Sequence, residues 1–302
     1  MEEIVRITVG TFVMRPYVFA FLMVYLVAAV THLGWKKTVS FTVAGYLIAF
    51  LSEYCSINTG IPYGWYYYID TTKTQELWVA GVPFFDSLSY VFLTYCSYSA
   101  ALLTISPIKT CKWNLVSLET KSIRRSFAVL LLGSLYQVFL DIVIDPVALQ
   151  GNRWFLGQIY GYREAGSHFG VPLSNYLGWW IVSLILIFTL QRIDARGERK
   201  RQKPAGVTNL PYRSLLGPMI YLSVLVFNLA ITIQIGENLM AMTGIFMFTL
   251  PVVIVTVLLV RRANRYSREE LAEHLRDYQY LAVDHGRKHK VASPGDLSPV
   301  NS

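Results

Sequence analysis

The sequence predicts an all-α, polytopic membrane protein: a bundle of about seven transmembrane helices. The composition, the apolar runs and the placement of basic residues between those runs support this prediction. Of the 302 residues, 54% are hydrophobic and 15% are charged, and the mean hydropathy is +0.40. Soluble domains carry about 25% charged residues. The composition therefore excludes an ordinary soluble enzyme and a disordered chain.

Seven apolar runs are long enough, or nearly so, to cross the hydrocarbon core of a bilayer, which takes about 20 helical residues. They span about 16–34, 39–57, 83–105, 124–145, 174–193, 213–235 and 242–261. Pro146 follows the fourth run directly. Because proline lacks an N–H and disfavours helix in the residue before it, we expect that helix to end there. The chain starts with acidic Glu2 and Glu3, unlike a signal peptide, so we expect the first run to be retained.

The basic residues predict the orientation. Lys and Arg gather in four segments that fall on one side of a seven-span protein, namely 36–37, 106–125, 191–213 and 261–268. The alternate segments, 58–81 and 146–173, hold only Lys73, Arg153 and Arg163. By the positive-inside rule the N-terminus is outside and the C-terminus is cytoplasmic. The net charge of +8 thus reflects topology rather than nucleic-acid binding, and we expect a multi-pass protein of the plasma membrane.

Two domains are predicted, a transmembrane domain over 1–263 and a cytoplasmic tail over 264–302. Ser267 and Glu270 form a capping-box pattern that predicts a short helix, and from Gly286 onward the composition predicts disorder. The three cysteines have no zinc-type spacing, and the common nucleotide-binding and metalloprotease motifs are absent from the sequence. The sequence therefore offers no recognisable motif for a metal or a cofactor.

Polar residues lie within the predicted spans, near the outer side. Glu53 is near the end of the second run, Asp141 and Asp145 close the fourth, and Asn175 opens the fifth. Gln137, Asp141 and Asp145 are four residues apart and share a helix face. A charge inside a span costs about 2.5–3.5 kcal/mol, and two carboxyls one turn apart favour one retained proton, which a general acid needs. The alternative is a helix end among the lipid headgroups.

The outer loops are rich in aromatic residues. Residues 60–68 read GIPYGWYYY, with Tyr63 and Tyr67, and the loop after the fourth run carries Trp154 and His168 among several glycines. An aromatic belt at the interface would also place such residues here. Their density predicts segments that lie on or dip into the outer leaflet and close over a long apolar ligand, where aromatic faces stabilise a cation. For His168, acid, base and purely structural roles all stay open.

Two blocks of sequence carry a family resemblance. The first contains Glu53, TGIPYG at 59–64, YYY at 66–68 and GVP at 81–83; the second contains DIVIDP at 141–146, Trp154, FGVPLSN at 169–175 and GW at 178–179. In order and approximate spacing, residues 40–195 resemble the carotenoid-biosynthesis membrane proteins typified by the CruF carotenoid 1′,2′-hydratases. The chain departs from that pattern in a longer, more polar stretch at 157–168, in His168 where an aromatic is expected, and in Asp86 where an apolar residue is expected.

The resemblance implies cofactor-independent hydration of an acyclic carotenoid end group. A terminal double bond takes a proton, the resulting tertiary carbocation takes water, and a tertiary alcohol results. The catalytic residues would then be Glu53, Asp141 and Asp145. The substrate-binding residues would be Tyr63, Tyr67, Gln137, Trp154, His168, Asn175 and Trp179. The implied partners are a carotenoid or another long isoprenoid, the lipid bilayer and other enzymes of carotenoid biosynthesis.

Three other functions stay open at this point. The spacing of Asp141 and Asp145 also fits a membrane prenyltransferase that binds a magnesium diphosphate, although such a site needs further carboxylates and basic residues. A terpene cyclase would use the same protonation without capture of water. Carboxylates inside a membrane also act as proton relays in transporters, but transporters are often built from repeated halves, and no internal repeat is apparent.

Overall fold

The apolar runs fold as helices in a computed structural model, which describes residues 2–111, 114–155, 157–196 and 212–277. The helices are α1 (Glu2–Met14), α2 (Pro16–Leu33), α3 (Trp35–Thr59), α4 (Phe84–Ile105), α5 (Lys121–Arg124), α6 (Phe127–Ala148), α7 (Leu173–Ala195), α8 (Arg213–Gln234), α9 (Asn238–Arg262) and α10 (Arg268–Asp277). Seven of them, α2, α3, α4 and α6 to α9, are long and apolar enough to cross a membrane. The predicted all-α polytopic bundle is confirmed.

The helix ends follow local sequence signals. Pro16 occupies the first turn of α2, where a missing N–H costs nothing. Gly60 ends α3 in the left-handed conformation, with φ of 78°. Ser126 caps α6 by accepting a hydrogen bond from the Val129 amide at 3.2 Å. The expected stop before Pro146 is wrong, because α6 runs on to Ala148 with Pro146 inside the helix.

Helix α4 forms the centre of the bundle, and α9 lies at its edge. In the most apolar 18-residue stretch of α4, 83% of the residues are buried, whereas in the corresponding stretch of α9 only 11% are buried. Helices α3, α6, α7 and α8 all pack on α4. Because its whole circumference is buried, α4 has no lipid-facing side, and polar residues along it point into the protein.

Short antiparallel strand pairs occupy the loops, which the sequence did not predict. Strands β1 (Tyr66–Tyr68) and β6 (Tyr160–Tyr162) pair, as do β2 (Trp78–Val79) with β3 (Val82–Pro83) and β4 (Ile108–Cys111) with β5 (Asn114–Ser117). The β1–β6 pair joins the loop after α3 to the loop after α6. Both loops therefore lie at the same end of the bundle, called the cap end here.

The opposite end of the bundle, called the basic end, is held by buried ion pairs. Asp194 at the end of α7 accepts from Arg124 Nε at 2.9 Å and pairs with Lys37 Nζ at 3.1 Å. Glu119 pairs with His32 Nε2 at 2.8 Å. Burial acts to raise the pKa of Glu119, but the interaction with His32 and the charges of Arg124 and Arg213 together outweigh burial and hold that pKa well below its usual range. These contacts join α2, α3, α5 and α7 at one level.

Helix α1 is a further element that the sequence did not predict. It carries an exposed apolar stripe formed by Val5, Val9, Phe12 and Val13. It docks on the loop after α3, where a Cβ on Gly10 would lie 1.8 Å from the carbonyl oxygen of Gln75. The stripe faces away from the protein at the cap end, as expected of a helix lying at a membrane surface.

The tail begins with the predicted short helix. In α10 the Ser267 amide donates to Glu270 Oε2 at 2.7 Å, and the Glu270 amide donates to Ser267 Oγ at 3.1 Å, which is a complete capping box. His274 Nδ1 contacts the carbonyl oxygen of Glu119 at 2.8 Å, so the helix docks on the basic end. The segment from Gly286, for which disorder is predicted, lies outside the described residues.

The orientation of the bundle is testable. An epitope inserted at Lys73, whose side chain is 52% exposed at the cap end, should bind antibody in intact cells, and a reporter fused after Ser302 should be cytoplasmic. The reason is the concentration of Lys and Arg at the basic end. Antibody access to both positions from the same side would contradict a topology with seven spans.

Candidate active site

A cavity of about 130 Å³ lies at the cap end, between α2, α3, α4, α6, α7 and α8. Four acidic residues line it: Glu53, Asp86, Asp141 and Asp145. Most of the remaining lining is aromatic or aliphatic, and no lysine, arginine or histidine is among the lining residues described. An engineered apolar cavity of about 150 Å³ admits benzene. The space is therefore of the size of one end group, not of a whole polyene.

The two carboxyl groups of α6 are bridged by one amide. Asn175 Nδ2 donates to Asp141 Oδ2 at 2.8 Å and to Asp145 Oδ2 at 2.7 Å. Both acidic residues are buried, with 1% and 6% of their surface exposed. The shared helix face predicted from the spacing is thus realised, and Asn175 at the start of α7 ties the two groups together.

Asp145 receives more hydrogen bonds than Asp141. In addition to Asn175, the Tyr160 hydroxyl donates to Asp145 Oδ1 and the Tyr162 hydroxyl donates to Asp145 Oδ2, the latter at 2.5 Å. Burial, reinforced by the charge of Asp145, raises the pKa of both tyrosines well above the usual value, so the hydroxyls keep their protons and act as donors. Hydrogen bonds of this kind stabilise a negative charge on Asp145.

Glu53 and Asp86 form the second acidic pair, on α3 and α4. Ser87 Oγ donates to Glu53 Oε2, and the Tyr68 hydroxyl donates to Asp86 Oδ2 at 2.5 Å. The sequence places Asp86 near the outer start of the third run, with the other charged residues at membrane depth, at a position where the family pattern expects an apolar residue. The structure instead places it in the cavity wall, next to Phe85, which packs under the buried Arg15 guanidinium at 4.3 Å.

The β1–β6 pair forms the roof of the cavity. Tyr66 pairs with Tyr162 and Tyr68 with Tyr160, and all four line the cavity. Successive side chains of a strand point to opposite faces, so Tyr67 lies on the outer face and is 48% exposed. This period of two explains why alternate tyrosines of YYY and YGY face the carboxylates.

Aromatic side chains also form the walls. The Tyr90 and Trp179 rings stack with centroids 4.3 Å apart and planes 5° apart, and the Tyr63 ring lies 6.0 Å from Trp179. Gly178 allows this close packing, because a Cβ there would lie 2.6 Å from the carbonyl oxygen of Pro62. The opposite wall comes from α2 and α8 and includes Tyr17, Phe21 and Phe227, next to Trp154.

Most of the residues predicted from the sequence meet in this cavity. Those that line it are Glu53, Tyr63, Asp141, Asp145, Trp154, Asn175 and Trp179. Tyr67, Gln137 and His168 are not among the lining residues. Gln137 is buried one helical turn below Asp141, and Tyr67 is on the outer face of the roof. Sequence reasoning missed the inward-facing tyrosines of β1 and β6, although the alternation in YYY and YGY carried that signal.

His168 contacts the helix rather than the cavity. Pro146 has no N–H, so the carbonyl oxygen of Ile142, four residues earlier, lacks its helical donor. The ring Nε2 of His168 lies 3.2 Å from that oxygen. His168 also begins a two-residue turn in which Phe169 and Gly170 both have positive φ, 49° and 90°, and the Val171 amide donates back to the His168 carbonyl at 2.9 Å.

These features define a multi-pass helical membrane protein with a buried cavity of carboxyl and aromatic groups. A family model described as carotenoid biosynthesis protein matches residues 7–266, and the chain belongs to that family. The match extends beyond the resemblance seen over 40–195 and includes the first span and the last two. Comparisons with curated proteins and with solved structures gave no match.

The role of His168 can be tested with Pro146. His168→Ala should destabilise the protein by about 1 kcal/mol, the net value of one hydrogen bond, because the Ile142 carbonyl loses its partner. In a Pro146→Ala background the restored N–H can bond that carbonyl, so the same change should cost less. Unfolding of the four proteins in mild detergent measures the coupling. Equal losses in both backgrounds would contradict this role.

Proposed function

We propose that this protein hydrates a terminal C=C bond of an acyclic carotenoid end group, giving a tertiary alcohol without a cofactor. The observation that carries the proposal is the pair Asp141 and Asp145, bridged by Asn175 and facing an aromatic cavity of end-group size. Membership of the carotenoid biosynthesis family supports the substrate class. A carotenoid, the bilayer and neighbouring enzymes of carotenoid biosynthesis are the proposed partners, and the plasma membrane is the proposed location.

The unequal hydrogen bonding of the pair supports different roles for Asp141 and Asp145. Asp145 accepts from three donors, whereas only Oδ2 of Asp141 has a donor among the described residues. Donors stabilise the ionised carboxylate, so the proton belongs on Asp141. Asp141 gives that proton to the less substituted carbon of the terminal double bond, which leaves a tertiary cation on the dimethyl-bearing carbon. Water adds to that cation, and the proton released from the water returns to the carboxyl pair. The sum is alkene plus water to alcohol, with the acid regenerated.

The walls of the cavity suit the cation. Tyr63, Tyr90 and Trp179 line the cavity, and the negative quadrupole of an aromatic face stabilises a nearby carbocation. Glu53, hydrogen-bonded to Ser87, adds a further acidic group on the α3 side. A diphosphate substrate would need basic side chains, and the lining described contains none, which favours a hydrocarbon over a prenyl diphosphate.

The reaction itself gives the first test. Purified protein in lipid should convert an acyclic carotenoid to a product heavier by one water, with the oxygen taken from ¹⁸O-labelled water and no added cofactor. Mass spectrometry of the extracted pigment measures both. Label arriving from molecular oxygen would show hydroxylation, and a cyclised product without oxygen would show a terpene cyclase; either would contradict the proposal.

The carboxyl groups give the second test. Asp141→Asn keeps the shape of the side chain and removes the proton, and positioned proton transfer contributes about 10²–10⁴-fold. Turnover per inserted molecule should therefore fall by at least about 10²-fold. Glu53→Gln should also lower it strongly. Asp70→Asn, in an exposed pair with Lys73, is the matched control and should act as wild type.

A normal rate for Asp141→Asn and Glu53→Gln would place the chemistry elsewhere in the protein. Asp86→Asn separates the sequence expectation from the structure. If Asp86 were only a departure from the family pattern, Asp86→Asn would lower turnover little. Because Asp86 lines the cavity and accepts a hydrogen bond from Tyr68, we expect Asp86→Asn to lower turnover measurably.

A further inference from the structure

A second polar layer lies below the carboxyl groups, deeper in the bundle. The register of α4, α6 and α7 follows from Gly133 of α6, where a Cβ would lie 3.5 Å from Cα of Tyr98 and 2.9 Å from Cδ1 of Ile187. Helix α6 is antiparallel to both neighbours. Gly133, Tyr98 and Ile187 thus lie at one level of the bundle. Four residues closer to the cap end on α6, α4 and α7 are Gln137, Thr94 and Ser183, which therefore also share a level.

The next two levels verify this register. One helical turn closer to the cap end lie Asp141, Tyr90 and Trp179. The rings of Tyr90 and Trp179 stack with centroids 4.3 Å apart, as expected of residues at one level. One turn beyond them lie Asp145, Asp86 and Asn175, where Asn175 Nδ2 donates to Asp145 Oδ2 at 2.7 Å. Thr94, Gln137 and Ser183, called the polar layer here, therefore lie directly below Asp141.

The side chains of the polar layer are buried, and their polar atoms have no hydrogen-bond partner among the described protein atoms. Thr94, Gln137 and Ser183 are 0%, 1% and 0% exposed. Thr94 Oγ1, Ser183 Oγ and both polar atoms of the Gln137 amide have no protein partner within the described ranges, and Oδ1 of Asp141 above them has none either. Buried polar groups in proteins are bonded to protein or to ordered water, and a buried water makes about three hydrogen bonds to such groups.

We propose that the polar layer binds ordered water, and that this water hydrogen-bonds Oδ1 of Asp141 and fixes the orientation of its carboxyl group. Asn175 holds Oδ2 from the cap side, and the water holds Oδ1 from below. Gln137, Thr94 and Ser183 are then positioning residues, which act on the reaction through Asp141. The water site stands on the geometry alone; its effect on turnover rests on the proposed hydration.

Water binding is tested on the full chain in lipid by water-edited solid-state NMR of the glutamine side-chain amides. The Gln137 amide, assigned from its loss in Gln137→Met, should receive magnetisation from water. Gln191 is the matched control, because it is also buried but donates to the carbonyl oxygens of Arg124 and Ser126 at 3.0 and 3.2 Å. Transfer to Gln137 no greater than to Gln191 would overturn the water site.

Isosteric substitutions test the same site by stability. Thr94→Val removes a hydroxyl and keeps the shape. If the hydroxyl holds water, thermal unfolding should shift downward; if the layer is dry, removing an unsatisfied polar group should stabilise the protein, and an upward shift would overturn the proposal. Thr249→Val, on the lipid-facing side of α9 with its hydroxyl bonded to the Ile245 carbonyl, is the control and should change the midpoint little.

Turnover then tests the positioning role. Gln137→Met and Thr94→Val should lower kcat about tenfold, less than loss of the acid itself, with KM retained and the pH profile of kcat shifted. Normal kcat and an unshifted profile in an active protein would overturn the positioning role. A wild-type protein that hydrates no carotenoid would instead remove the proposed function, and the NMR and unfolding results would still decide the water site.

Discussion

The structure depends on the burial of carboxyl groups inside an apolar bundle. Each charge placed within a span costs about 2.5–3.5 kcal/mol, so every such group needs donors nearby. Asn175 donates hydrogen bonds to Asp141 and Asp145, and Tyr160 and Tyr162 donate to Asp145. Tyr68 donates to Asp86, and Ser87 donates to Glu53. These tyrosines come from the loops of the cap end. Pairing of β1 with β6 places Tyr68, Tyr160 and Tyr162 in the lining of the cavity, beside the carboxyl groups.

The two ends of the bundle therefore have different tasks. At the basic end, oppositely charged partners neutralise each other, as in Arg124 with Asp194, and the helices are fixed relative to one another. At the cap end the cavity lining contains carboxyl groups without basic partners among the described residues. Such a site keeps a proton available, which paired charges would not. Arg15 lies close by but is bound to Glu76 at 2.8 Å, so its charge is largely satisfied.

The features of the fold and the site that depend on residues close together in the chain could be predicted from the sequence. The seven spans follow from length and hydropathy, and the shared face of Asp141 and Asp145 follows from helical periodicity. The strands at Tyr66–Tyr68 and Tyr160–Tyr162 did not follow, because their pairing joins residues nearly a hundred positions apart and neither segment forms a sheet alone. The contact of His168 with the Ile142 carbonyl, beside Pro146 in α6, could not be predicted either, because it joins residues 26 positions apart.

The cavity also constrains how a long substrate would lie. Its volume of about 130 Å³ admits an end group only, so the rest of a polyene must extend out through a wall. The carboxyl groups come from α3, α4 and α6, whereas α2 and α8 contribute Tyr17, Phe21 and Phe227, which offer an apolar surface with aromatic faces. A hydrocarbon chain avoids the carboxyl side and packs on the aromatic side. We therefore expect the polyene to lie along the aromatic wall formed by α2 and α8, where Tyr17 and Phe227 stack with centroids 5.4 Å apart, with its end group on the side of the carboxyl groups.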